Sequence, residues 1–183
     1  TGDVNLAKQM SLVDLEQKAA RTKLILEVLP KIPSISGSKF IHAHIITPHP
    51  PYIFNEDGSL NLDAAHIDPK EGYLNQLEFI EPRILDSLAY IIDHSDKPPI
   101  IILQGDHGFG NRYANSNLLA LYLPGEDTAS LDEHMTLVNV FPCIFNTFFG
   151  ADMDYLPNRS YFHTDDWYQS VLAEEWNPAC KGK

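Results

Sequence analysis

Basic residues are scarce in this 183-residue chain, with 13 Lys and Arg against 25 Asp and Glu and a formal net charge of −12. No cluster of Lys and Arg occurs, which excludes a nucleic-acid backbone as a partner, since phosphate contacts need gathered cations. Acidity of this size suits divalent-cation binding, and equally serves as a solubilising surface. Cysteine is also sparse, at two residues. Cys143 falls in an apolar helical stretch and reads as core, and Cys180 lies in a polar tail, so no disulfide framework is indicated. No stretch approaches the roughly 18 apolar residues of a membrane span, and a signal-peptide pattern is missing. Internal repeats and low-complexity segments are missing too. An initiating Met is lacking: the chain opens Thr1-Gly2-Asp3-Val4, as expected of a portion of something longer.

What is present is a composition of 44% hydrophobic and 21% charged residues, that of an ordinary soluble globular protein large enough to bury a sizeable core as one domain. Two strand-like runs stand out, each followed by a histidine-bearing turn. The first, Phe40-Ile41-His42-Ala43-His44-Ile45-Ile46-Thr47, enters Pro48-His49-Pro50-Pro51-Tyr52. The second, Pro99-Ile100-Ile101-Ile102-Leu103-Gln104-Gly105, enters Asp106-His107-Gly108. Between them Leu77, Ile80, Ile84, Leu88 and Ile91 recur at spacings of three and four, one helical stripe over 73–94 with a kink or a break expected at Pro82. Strand, helix, strand predicts parallel strands joined by a right-handed crossover. Both histidine turns would then leave the carboxyl edge of one sheet, where open α/β folds place their chemistry.

Elsewhere, Leu12, Leu15, Ala19, Leu26 and Leu29 predict a helix over 11–29, with Ser11 as N-cap and Asp14 three residues on, ended by Pro30 and Pro33. A turn at 55–58 opens a polar loop that runs to Gly72. A third strand is expected over 117–123, a buried helix over 136–149 ended by Gly150, and a short helix near 165–175 before a loose tail.

Asp106 and His107 pair a hard oxygen ligand with an imidazole at the end of a buried strand, a donor set suited to Zn²⁺ or Mn²⁺, with Gly108 allowing a sharp turn. The same tripeptide also reads as an Asp capping the next turn beside a surface His. His49, flanked by Pro48, Pro50 and Pro51, sits on a backbone held stiff and extended. Such a loop can fix an imidazole where negative charge develops, or can be a plain surface turn. His42 and His44 share one strand face and read as satisfied core histidines, His44 being nearer the strand's end. Arg112 could grip an anionic group bidentately, or serve as a surface ion-pair residue.

These two histidine turns, together with Asn117-Leu118-Leu119-Ala120-Leu121-Tyr122-Leu123-Pro124 and Val138-Asn139-Val140-Phe141, resemble the carboxyl-terminal half of sulfatase-like proteins of the alkaline phosphatase superfamily. Among these the membrane-anchored sulfatase-like hydrolases, related to lipoteichoic acid synthases and phosphoethanolamine transferases, look most similar. The resemblance covers about 39–161. It implies an α/β fold, a mainly parallel sheet flanked by helices, present here as part of a domain. The chain, 1–183, would divide into a helix and linker (1–38), a core (39–161) and a terminal helix and tail (162–183). The resemblance further implies that Asp106 and His107 ligate a divalent cation (Mn, Zn, Mg or Ca). His49, and more weakly His44 and Arg112, would contact the sulfate or phosphate of an ester substrate. The nucleophile of such families, a Thr, Ser or formylglycine, and a further acidic ligand lie upstream of any segment matched here. Ser34, Ser36 and Ser38 do not fit the nucleophile motif, and Pro142 stands where relatives usually carry Arg. The isolated chain is therefore expected to be inactive, its parent being held at the extracytoplasmic face of a membrane by upstream helices. A non-catalytic ligand- or partner-binding module of the same fold is the alternative.

Overall fold

A computed structural model of the chain describes residues 12–110, 117–125, 135–163 and 170–176. It is a mixed α/β structure that divides into two compact units, Thr1–Pro99 and Ile100–Lys183.

In the first unit, helix α1 (Leu12–Val28) buries Leu15, Ala19 and Thr22, spaced four and three apart along one face. Pro30 and Pro33 do not simply stop it: the chain continues as a 3₁₀ helix, Leu29–Ser34. Helix α2 (Pro69–His94) begins four residues before the sequence pattern predicts, because Asp68 caps it, its Oδ1 accepting from Lys70 N (3.0 Å) and Glu71 N (3.1 Å) with Pro69 at the first helical position. Pro82 lies inside the helix without ending it. One turn back, Phe79 O accepts from Arg83 Nη1 at 2.6 Å, a side-chain bond beside the place where proline removes a donor. The core of this unit joins Leu15 and Ala19 of α1 to Ile53, Phe54, Ala64, Phe79 and Ile80, with the Phe54 and Phe79 rings 4.3 Å apart between centroids.

Residues 40–47 form no strand. Phe40 is 80% exposed, Ile41 and Ile46 are exposed, and among the described residues no backbone ladder reaches 40–45. A β-prone run becomes a strand when a neighbour offers it hydrogen bonds and a surface to pack on. Only the end of the run finds such a surface, with Ile45 packed against the core and Thr47 buried beside Thr22.

In the second unit, β1 (Ile101–Gln104) pairs with β2 (Leu119–Tyr122) in antiparallel register, Ile101 opposite Tyr122 and Gln104 opposite Leu119. β3 (Asn158–His163) pairs antiparallel with β4 (Ser170–Trp176). The mainly parallel sheet expected from strand–helix–strand order is thus not found among the described residues: both sheets have two strands and neither pairing is parallel. β4 also stands where most of the short helix near 165–175 was expected, the positions 165–169 lying outside the described residues. Leu172, Ala173, Glu174 and Glu175 are helix formers in isolation, and pairing with β3 overrides that preference.

Helix α3 (Leu137–Phe149) ends as the sequence predicts, at Gly150 with φ 65°, and Ala151 N returns to Phe145 O at 3.2 Å. It buries Val140, Cys143 and Ile144 against Leu123 and Met135, with Ile102, Leu119 and Leu121 of the sheet packed alongside. Cys143 lies in this core, as the sequence predicts, and is also disulfide-bonded, which the sequence did not indicate; its partner lies outside the described residues. One bridge in a two-cysteine chain leaves no spacing pattern by which to foresee it. Among the described residues, no helix is long and apolar enough to cross a membrane.

Candidate functional site

The proline-rich segment after Ile46 is a turn rather than an extended run. His49 N donates to Ile46 O at 2.8 Å, and the Thr47–Pro48 and Pro50–Pro51 peptide bonds are both cis. Behind the turn, buried Thr47 meets Thr22 of α1, hydroxyl to hydroxyl at 3.4 Å. Gln76 of α2 is fully buried beneath it. Its Nε2 donates to Pro48 O at 2.9 Å and more loosely to His49 O at 3.4 Å, while its Oε1 accepts from Ile53 N at 2.9 Å. Two carbonyls on one side and an N–H on the other fix which way the amide faces. Tyr52 then packs over Gly72, where a Cβ would stand 2.5 Å from the ring.

The His49 side chain is exposed, and its Nδ1 lies 2.6 Å from Pro50 O. A carbonyl can only accept, so Nδ1 carries the proton of that bond and, in the neutral ring, Nε2 carries the lone pair.

The second turn leaves the end of β1. Gly105 N donates to Leu118 O at 2.9 Å and Asn117 Nδ2 to Gly105 O at 3.2 Å, so the amide and carbonyl of the residue just past the strand are both held. Asp106 Oδ1 accepts from His107 N at 3.0 Å, and His107 Nδ1 lies 2.8 Å from Gly108 O. The same tautomer argument leaves the lone pair on Nε2, which stands 3.9 Å from Asp106 Oδ1. The Asp106 side chain is 92% exposed and that of His107 55%.

The structure therefore brings Asp106 and His107 together and places them on one strand end. His49 and His44 belong to the first unit, Asp106 and His107 to the second. His44 and His42 are exposed, with ring centroids 6.3 Å apart, which corrects their reading as core histidines: the strand that would have buried them does not form. Arg112 lies outside the described residues. Among the described residues no group of three His, Cys, Asp or Glu side chains gathers as a metal site.

Sequence reasoning missed Gln76. Its signal was a polar residue four positions before Ile80 on the buried face of α2, where an apolar stripe alone was sought. Comparison with protein-family models, with curated proteins and with solved structures returned no match for this chain.

Proposed function

We propose that this chain is part of a divalent-metal-dependent hydrolase or transferase of sulfate or phosphate esters, of the sulfatase-like kind its motifs resemble. In that reading Asp106 and His107 supply cation ligands, and His49 faces the anionic group of the substrate. One observation carries it. Both candidate imidazoles have Nδ1 tied to the carbonyl of the next residue, at 2.6 Å and 2.8 Å, the arrangement that orients a histidine to ligate through Nε2. The donor set of one carboxylate and one imidazole fits half of such a site and requires further ligands from elsewhere in the parent. A bound cation would neutralise charge on the transferred group and activate a nucleophile. The disulfide at Cys143 supports an oxidising, extracytoplasmic setting for the parent. The parallel sheet of that fold class would need strands beyond those described.

Calorimetric titration with Mn²⁺ and Zn²⁺ tests the reading. The expected dissociation constant is about 10⁻⁴ to 10⁻³ M, at the weak end for divalent sites. Binding should be lost on Asp106→Asn and on His107→Ala. Tight binding that survives both substitutions, or none at all, favours the non-catalytic module instead.

A further inference from the structure

We infer that Gln76 is the positioning residue of the His49 turn: it sets which ring nitrogen His49 presents. The turn is held from within and from below. Its internal backbone bond is His49 N to Ile46 O, and the His49 side chain is exposed. Thr47, at its start, meets Thr22 of α1, and past that point the turn is held from below by one side chain, 0% exposed, that spans 27 residues of sequence to reach His49 O and grips the chain at Pro48 and His49 and again at Ile53. Pro48 O and His49 O sit on its NH₂ and Ile53 N on its carbonyl oxygen. With the flanks fixed, Pro50 O stands where Nδ1 of His49 can donate to it at 2.6 Å. That bond selects the Nδ1–H tautomer, whereas a free imidazole side chain in water favours Nε2–H. Gln76 therefore acts on the ring without touching it, through two carbonyls and one amide.

Two features set this apart from ordinary core filling. Gln76 shares its buried face with Gly72, Phe79, Ile80, Ser87 and Ile91, and whereas the Ser87 hydroxyl donates back to Arg83 O within the helix at 2.7 Å, the Gln76 amide bonds outside the helix, where an apolar side chain of the same length would fill the volume. Its three partners also lie in a single stretch, 48–53, and in no other part of the unit. The inference rests on the proposed function only for the use to which His49 is put; the tautomer itself is a property of this chain alone.

The test is ¹⁵N NMR of the imidazoles at a pH above their titration, on the wild-type chain, Gln76→Met and Gln76→Glu. Wild type should show His49 as Nδ1–H. In Gln76→Met, which keeps the volume and loses all three bonds, the Nδ1–H population of His49 should fall to that of exposed His42 and His44. His94, whose Nδ1 lies 2.9 Å from Tyr90 O far along α2, should be unchanged and so reports an intact fold. In Gln76→Glu the carboxylate would face two carbonyl oxygens. The His49 and Ile53 amides should be mobile when it is ionised and should recover wild-type order when it is protonated and can donate again. A folded Gln76→Met with an unchanged His49 tautomer overturns the inference. Collapse of the His94 signal in both variants overturns it as well, making Gln76 a determinant of folding. Failure of the metal titration, with the tautomer shift intact, would count against the proposed function and leave the role of Gln76 standing.

Discussion

Asn139 Nδ2 stands 2.8 Å from Asn158 Oδ1, and both side chains are fully buried. Asn158 Oδ1 also accepts from Thr136 N at 3.0 Å and from Thr136 Oγ1 at 2.7 Å, so a residue at the start of β3 supplies the cap that α3 lacks from its own N-cap side chain. Asn139 meanwhile exchanges a pair of bonds with the backbone of Leu156, at 2.7 and 2.9 Å. Two helical turns later Asn146 does the same with Met153, at 2.9 and 2.8 Å. Two amides on one helix face thus imitate a neighbouring strand for the segment that leads into β3.

Replacing Asn158 by Ala should therefore be costly. It strands two donors of Thr136 and one of Asn139 in a buried place, and a loss of about 3 kcal/mol in unfolding free energy is expected. Chemical denaturation of the two chains measures it, and a loss well under about 1 kcal/mol would mean that water takes over the junction.

Gly72→Ala should destabilise the first unit although alanine is the better helix former by about 1 kcal/mol. The new methyl would lie 2.5 Å from the Tyr52 ring, and overpacking of that kind costs about 1 to 3 kcal/mol. A shifted Tyr52 ring resonance together with a lower unfolding midpoint is the expected result.

The carboxyl of Asp57 is held below the ordinary aspartate value of 3.8, chiefly by hydrogen bonding with Ser59, whose amide donates to Oδ1 at 2.8 Å. A depressed folded value means that the turn gains from the ionised form above the unfolded aspartate range and loses that gain as pH falls through the folded value. Titration of the Asp57 carboxyl carbon by NMR should give a midpoint below 3.8, and the Ser59 amide should titrate with it. A midpoint at or above the ordinary value would remove the Ser59 bond as its cause.

The isolated chain should show essentially no turnover of aryl sulfates or aryl phosphates with added Mn²⁺ or Zn²⁺, because the attacking group of the proposed chemistry is not among its motifs. Turnover abolished by Asp106→Asn would place a nucleophile inside the chain. Thr47, buried beside His49, and the serines at 34, 36 and 38 would then be examined first.

The three long helices were legible because their periodicity is local, whereas the short one expected near 165–175 was not, strand pairing having overridden it. The stripe from Leu77 to Ile91 and the Gly150 stop depend on neighbours three to five residues away. Asp68-Pro69-Lys70-Glu71 was a legible start as well, hidden only by its place inside a polar loop. Strands were another matter. Ile101–Gln104 found a partner in Leu119–Tyr122 and became β1, whereas the run at 40–47, equally β-prone though broken by His42 and His44, found none among the described residues, and pairing depends on a distant neighbour that neither run specifies. The candidate site divides in the same manner. Asp106 and His107 are neighbours in sequence and so neighbours in space, whereas the hold of Gln76 on the turn beneath His49 depends on a packing that composition does not encode.

The run at 40–45, unpaired among the described residues, has a consequence for handling the protein. Phe40 and Ile41 stand in water beside open backbone donors and acceptors, a template that a second molecule in solution could extend. The net charge of −12 opposes such association by mutual repulsion. That repulsion reaches about 30 Å at 0.01 M salt and about 8 Å at physiological ionic strength. Concentrated stocks should therefore stay clear in dilute buffer and turn cloudy as salt is raised, with Phe40→Lys removing most of the turbidity.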